Sequence, residues 1–220
     1  MIDAVVFDLD GVLVDSEPVW ERVRRDVVAE LGGRWTDDAQ QKLMGMSTSE
    51  WAGYLSHDLD AGAPPEKVAA LVISRMQSRY QDGPPLMPGA VEAVRRLASR
   101  WPLGLASSSP PVLIDAALQG GEVKACFIVT MSTEQVPRGK PAPDIYLEVT
   151  RRMGYSPASC AAVEDSTNGI RSAVAAGLRT VAVPHPRYPP EPAALQSAAL
   201  VISDLSMLTV EAVTNLDGPR

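Results

Sequence analysis

Asp8 and Asp10 close an apolar run, Val5-Val6-Phe7, one residue apart, and Gly11 follows them. In extended chain alternate side chains share a face, so the two carboxylates point the same way, and Gly11 lets the backbone turn sharply. Three more polar clusters lie at or after the ends of apolar segments: Ser107-Ser108-Ser109, Arg138-Gly139-Lys140-Pro141 and Glu164-Asp165-Ser166. Asp8, Glu164 and Asp165 supply hard oxygen ligands of the kind magnesium takes. Carboxylates this close would repel one another without a cation. Lys140 supplies a point charge and Ser107 a hydroxyl, both donors to phosphoryl oxygens. Each piece also has a plain structural reading. Asp10-Gly11 alone is a turn, Ser107–Ser109 and Asp165-Ser166 are helix caps, and Lys140 alone is a solvated lysine. Their joint placement on successive strand ends points instead to phosphoryl and divalent-cation chemistry. An EF-hand loop is excluded, because Leu13 stands where its glycine is required and Val19 where its bidentate glutamate is required.

The elements that must position these groups follow from periodicity. A strand is expected over 3–8. A helix follows from about 17, with Ser16 as N-cap, Pro18 in its first turn and Gly32-Gly33 at its end; Val19, Val23, Val27 and Leu31 form one stripe. Ser47-Thr48-Ser49-Glu50 is a capping-box signal before a second helix, and a third is expected at about 65–80. Residues 16–82 therefore read as all-helical, and Asp82-Gly83-Pro84-Pro85 as a linker. From 88 onward apolar strands (102–106, 126–130, 160–164, 179–183, 199–202) alternate with helices (about 89–99, 111–118, 142–153, 168–176, 206–214). That rhythm implies a parallel sheet covered on both faces. The expected fold is α/β, a three-layer, Rossmann-like parallel-sheet core with an inserted all-helical cap. The core is discontinuous, 1–15 with 83–220, and the cap spans 16–82.

Bulk properties narrow the partners. The net charge is −7 and the pI about 4.9, with no cluster of Lys and Arg, which argues against nucleic acid and anionic membranes. Cys126 and Cys160 have no paired spacing and read as buried free thiols. The N-terminus lacks a signal-peptide pattern and no apolar stretch is long enough to span a bilayer, so a cytoplasmic protein is expected. A monomer is expected, with a small phosphorylated metabolite as its partner.

Four segments, FDLDGVLVDSEP, LASSSP, RGKPAPDIY and VEDSTNGIRSA, resemble the motifs of the haloacid dehalogenase-like superfamily across essentially the whole chain. The resemblance is to the subgroup with a helical cap after the first strand, and within it to the β-phosphoglucomutase-like phosphatases. It implies that Asp8 is the nucleophile, forming an aspartyl-phosphate, and that Asp10 is the general acid and then base. It implies that Ser107, Ser108 and Lys140 bind the phosphoryl group. Asp8, the Asp10 main-chain carbonyl, Glu164 and Asp165 would hold Mg²⁺. The cap segment LMGMS, with Gly45, Met46 and Ser47, would face the site together with Trp20. These cap residues read as an apolar, fairly uncharged surface; Asp15 reads as positioning the hinge, and Glu17 as a helix-start charge or a substrate contact.

The same resemblance separates the reactions. Asp10 disfavours the dehalogenase and phosphonate-cleaving branches. Mutases of the subgroup carry a histidine at the position of Trp20 and an arginine at that of Thr48, and both are absent here. The expectation is therefore a Mg²⁺-dependent phosphatase of a small phosphomonoester. A β-phosphoglucomutase-type mutase is the alternative, and a non-catalytic phosphometabolite-binding regulator the remote one. His57 reads as solvated; His185, in a proline-bound loop after the strand at 179–183, reads as an exposed loop histidine, with a place bordering the site as the alternative.

Overall fold

The first strand, β1 (Ala4–Phe7), is buried along its whole length. Its side chains divide between two layers: Val5 and Phe7 belong to one apolar cluster, Ala4 and Val6 to another. A strand covered on both faces belongs inside a parallel sheet. In the computed structural model, which describes residues 1–43, 46–81 and 83–217, β1 is such a strand.

Four helices follow β1: α1 (Glu17–Glu30), α2 (Ala39–Leu43), α3 (Thr48–His57) and α4 (Pro65–Gln81). The chain then runs α5 (Ala90–Ala98), β2 (Leu103–Ser107), α6 (Pro111–Gly120), β3 (Phe127–Ser132), α7 (Asp144–Met153), β4 (Cys160–Glu164), α8 (Thr167–Ala175), β5 (Arg179–Ala182), α9 (Pro192–Ser197), β6 (Leu200–Val201) and α10 (Val210–Thr214). The strands form one sheet in the order β3-β2-β1-β4-β5-β6, all pairs parallel. The Val5 and Phe7 face packs on α5 and α6, and the same cluster continues through Leu9, Val12 and Leu13 into α1, α3 and α4. The Ala4 and Val6 face packs on α7 and on the C-terminal part of α8. The strand order reverses at β1, so the crevice for a ligand lies beyond the carboxyl ends of β1, β2 and β4.

The α/β class and the inserted helices are as the periodicity implied. Two short helices, α2 and α9, had no expectation; α9 opens with Pro192 inside a proline-rich stretch that reads as loop. The helix expected over 206–214 is broken: Leu205–Met207 is a single 3-10 turn, and α10 starts only after the Thr209 hydroxyl accepts from the Ala212 N–H at 3.0 Å. Ser16 makes no side-chain cap bond. Cys160 is buried, but Cys126 is only half-buried, in the turn that delivers β3; both thiols are free. Among the described residues no helix is long and apolar enough to cross a membrane.

Candidate active site

β1 hands the chain directly to Asp8, whose N–H donates to the Val163 carbonyl at 2.9 Å, the last tie to β4. Gly11 then adopts a left-handed φ of 82°. A side chain there would also collide with the Asp165 carboxylate. Glycine is therefore needed twice, for the turn and for the approach of β4's terminal acids.

Lys140 ties three strand ends together. Its Nζ donates to Asp8 Oδ1 at 2.6 Å, to Glu164 Oε1 at 2.6 Å and to the Ala106 carbonyl at 3.0 Å. Burial alone would pull the ammonium's pKa down; the two carboxylates more than reverse this and hold it above the usual lysine range. Tyr146 donates its hydroxyl to the same Glu164 oxygen at 2.7 Å, and its ring lies 5.3 Å from Nζ. The other Glu164 oxygen accepts from the Asp165 N–H at 3.2 Å and from the Ser166 hydroxyl at 3.4 Å. Glu164 is fully buried with both oxygens engaged.

Asp10 has different partners. Its Oδ2 accepts from Ser109 Oγ at 2.7 Å and Ser107 Oγ at 3.2 Å. Ser107 in turn accepts from the Ser109 N–H at 2.9 Å. The serines expected to cap α6 thus serve Asp10 instead; Pro110 stands at the N-cap with no side-chain bond. Ser107 is fully buried behind Asp10, whereas Ser108 and Ser109 line the cavity.

One carboxylate oxygen each from Asp8, Glu164 and Asp165 lie within 4.8 Å of one another. Burial raises the Asp8 carboxyl to a pKa of about 8, against the pull of Lys140 and with the help of Glu164 and Asp10. Burial and the charges of Asp8 and Glu164 push Asp165 well above the carboxylate range. Asp10 Oδ1 and Asp165 Oδ1 are buried with no hydrogen-bond partner. A crowd of hard oxygen donors, with an Asp165 oxygen orphaned, fits a divalent cation. The cluster can hold a metal.

The start of α8 is built around the same acids. Ser166 caps it, accepting from the Gly169 N–H at 3.1 Å, and a side chain at Gly169 would collide with both oxygens of Glu164. Gly169→Ala should therefore destabilise the protein by about 1–3 kcal/mol through overpacking. A urea-denaturation midpoint at the wild-type value would contradict this.

The helical insert closes the far side of a cavity of about 630 Å³. Trp20 and Met46 line it, as expected. Ser47 is occupied in the capping box, with Glu50 accepting from both its N–H and its hydroxyl at 2.7 Å. Gly45 lies outside the described residues. The next residue, Thr48, reaches across to the core and donates to Glu134 Oε1 at 2.8 Å.

Two expectations need correction. The cap wall is not uncharged: Arg24 is buried and, with Glu17, lines the cavity. The stripe at 19, 23, 27 and 31 hid this. The residues α1 buries are Trp20, Val23, Arg24, Val27 and Val28, and an arginine on that i, i+3, i+4, i+7 pattern was the available signal. His185 is also not solvated. It is 5% exposed, stacks on Tyr188 with ring centroids 5.4 Å apart, and lines the cavity. Its Nδ1 accepts from the Arg187 N–H at 3.3 Å, so in the neutral ring Nε2 carries the proton toward Asp15 Oδ1 at 3.2 Å. Asp15 is thereby fastened to the core; His57 is exposed.

Residues 2–177 match the family model of haloacid dehalogenase-like hydrolases. The chain belongs to that family. Among haloacid dehalogenase-like proteins it is 34% identical over 220 residues to hexitol phosphatase B of Escherichia coli, covering 97% of this chain and 95% of that one. It is 31% identical over 181 residues to the phosphorylated carbohydrates phosphatase of Thermotoga maritima, covering 82% and 84%. The crystal structure of CbbY from Rhodobacter sphaeroides in complex with phosphate superposes with a TM-score of 0.86 at 25% identity, covering 97% of this chain and all of that one. The family's β-phosphoglucomutase-like subgroup, the Rossmann-like sheet and the phosphatase class of enzyme are thus established for this chain.

Proposed function

We propose that the protein is a Mg²⁺-dependent phosphatase of small sugar-type phosphomonoesters, working through an aspartyl-phosphate on Asp8. The observation that carries this is the division of labour between two carboxylates of one cavity. Asp8 is held by an ammonium, Asp10 by two hydroxyls. An oxygen of Asp8 attacks phosphorus in line as the ester P–O bond breaks, and Asp10 gives its proton to the departing alkoxide. Water then attacks the phosphorus and gives a proton to Asp10; the bond to Asp8 breaks, freeing inorganic phosphate and the carboxylate. Lys140 and the Ser108 hydroxyl bind the phosphoryl oxygens and stabilise their charge, while Ser107 holds Asp10 from behind. Asp8, Asp165 and the Asp10 carbonyl would hold the cation with Glu164 behind them, and its charge would offset that of the acids and the phosphate.

Residues 16–82 act as a cap on a core made of 1–15 and 83–220, and shield the reaction from water. Trp20 favours hydrolysis over isomerisation. It packs on Trp51, with ring centroids 6.0 Å apart, and brings no titratable group to the cavity. The hexitol and carbohydrate phosphatases named above support a sugar-type substrate. One chain supplies every group invoked, which supports a monomer.

Removal of divalent cations should lower turnover of p-nitrophenyl phosphate by at least about 10²-fold, and Mg²⁺ should restore it. Because Asp8, with a pKa of about 8 when metal-free, must ionise to bind, Mg²⁺ affinity should weaken as pH falls below that value. Undiminished turnover in excess chelator would remove the metal from the reading. Conversion of β-glucose 1-phosphate to glucose 6-phosphate with little free phosphate would replace the hydrolase by a mutase.

A further inference from the structure

The helical insert's wall of the cavity carries a cation whose hydrogen-bonding capacity no described residue uses. Arg24 is 5% exposed, and its guanidinium carbon lies 4.6 Å from the centroid of the Trp20 ring and 5.3 Å from that of Trp51. The two rings orient the fork and stabilise its charge. Its Nε is buried with no hydrogen-bond partner, and no described residue accepts a hydrogen bond from the rest of the guanidinium. A guanidinium has five N–H donors, and burying them without acceptors is costly. Burial lowers its pKa to about 10, Glu17 and Asp10 offsetting part of the drop, so it stays charged at neutral pH.

A carboxylate shares this wall. Glu17, seven residues earlier on the same helix face, lines the cavity. Its Oε2 accepts from Gln40 Nε2 at 2.7 Å, and the Gln40 oxygen is buried and unpaired. A guanidinium and a carboxylate on one cavity wall present opposite charges to a ligand there. A second phosphate or a carboxylate on the substrate would meet Glu17's charge as well as Arg24's, and an apolar tail would leave both unpaired. Hydroxyl groups, each donor and acceptor at once, satisfy both.

We infer that Arg24 and Glu17 form the specificity site for the non-reacting end of the substrate, and that this end is a neutral polyhydroxyl chain. The inference rests on the phosphatase reading above and deepens it.

The test compares kcat/KM for four esters: a hexitol 6-phosphate, p-nitrophenyl phosphate, a hexose bisphosphate and 2-phosphoglycolate. Wild type should favour the hexitol phosphate. Arg24→Gln should lower the ratio of hexitol phosphate to p-nitrophenyl phosphate by about 10- to 100-fold, the scale of lost hydrogen bonds to a charged group. Arg24→Lys, which keeps the charge and loses the fork, should shift the ratio in the same direction. If Arg24→Gln does not fold, Arg24→Lys and a wild-type series of deoxyhexitol phosphates take its place, and kcat/KM should fall with each hydroxyl removed. A ratio unchanged in the variants, a flat deoxy series, or a wild-type preference for the bisphosphate or phosphoglycolate overturns the inference alone. No turnover of any of the four esters by wild type with Mg²⁺ overturns the phosphatase reading and this inference with it.

Discussion

Asp8→Asn should lower kcat by about 10⁴-fold or more, the scale of loss when a nucleophile is removed, while the protein stays folded. An amide has no charged oxygen with which to attack phosphorus, yet it has nearly the shape of the acid and can still accept from Lys140. The fold already favours a neutral group here. The Asp8 carboxyl is raised from 3.8 to about 8, first by burial and then by its acidic neighbours. A raised carboxyl pKa means that the metal-free native state holds the proton more tightly than the unfolded chain. Stability from that proton is fully present at low pH and is lost as pH rises toward about 8. The amide removes this dependence, so the metal-free variant should be no less stable than wild type at pH 8. Acid quenching during turnover should trap phosphoryl-enzyme in the wild type and none in the variant. Activity within tenfold of wild type in Asp8→Asn would end the covalent mechanism.

Lys140→Met should do the opposite to stability. The lysine side chain is 6% exposed and is the shared partner of Asp8 and Glu164. Its loss leaves two buried carboxylates facing each other and the Ala106 carbonyl without its donor. Breaking a buried ion pair from one side costs about 3–5 kcal/mol. The expected result, by urea denaturation in excess chelator, is a loss of that size. The loss should be larger at pH 8 than at pH 5, where the carboxylates can relax by taking up protons. Turnover should fall by about 10²–10³-fold, as when a charge-stabilising donor is removed. Lys140→Arg should not rescue it, since a planar fork cannot replace three bonds radiating from one nitrogen. A variant as stable as wild type would show that the lysine does not hold these strand ends together.

The strand ends were readable because their signal is local. An apolar run stopping at Asp8, and another stopping at Glu164-Asp165, needs no tertiary knowledge, and parallel topology alone brings Asp8, Lys140, Glu164 and Asp165 to one edge. The second layer around them was not readable in the same way. Among Arg22, Arg24 and Arg25 the i+4 spacing from Trp20 singles out Arg24, but the second ring over its guanidinium, Trp51, comes from α3 and has no local signal. His185 sits in a stretch dense with proline, which says loop but not which way the loop folds. Its ring meets Asp15, 170 residues away in sequence. The serines after β2 have a local text that suits a helix cap or a phosphoryl contact, whereas the Ser107 and Ser109 hydroxyls point back to Asp10, 97 and 99 residues away in sequence. The legible part was set by sequence order and the illegible part by side chains meeting across elements.

The point where the helical insert leaves and rejoins the core has a consequence of its own. Val14 pairs with Leu86 in an antiparallel bridge, the Asp15 N–H donates to the Pro85 carbonyl at 2.7 Å, and the Met87 N–H donates to the Leu13 carbonyl at 2.9 Å. The outgoing and returning chains are thus stitched side by side, like the two edges of a buttonhole. The span bridged by the insert is fixed by those bonds, whatever lies between them. Closure entropy rises only slowly with the length of a loop whose ends are already together. For the backbone of the sheet, lengthening the insert between those two anchor points therefore adds little closure cost. The half of the molecule that would do the chemistry can stay constant while the half that would choose the substrate is rewritten.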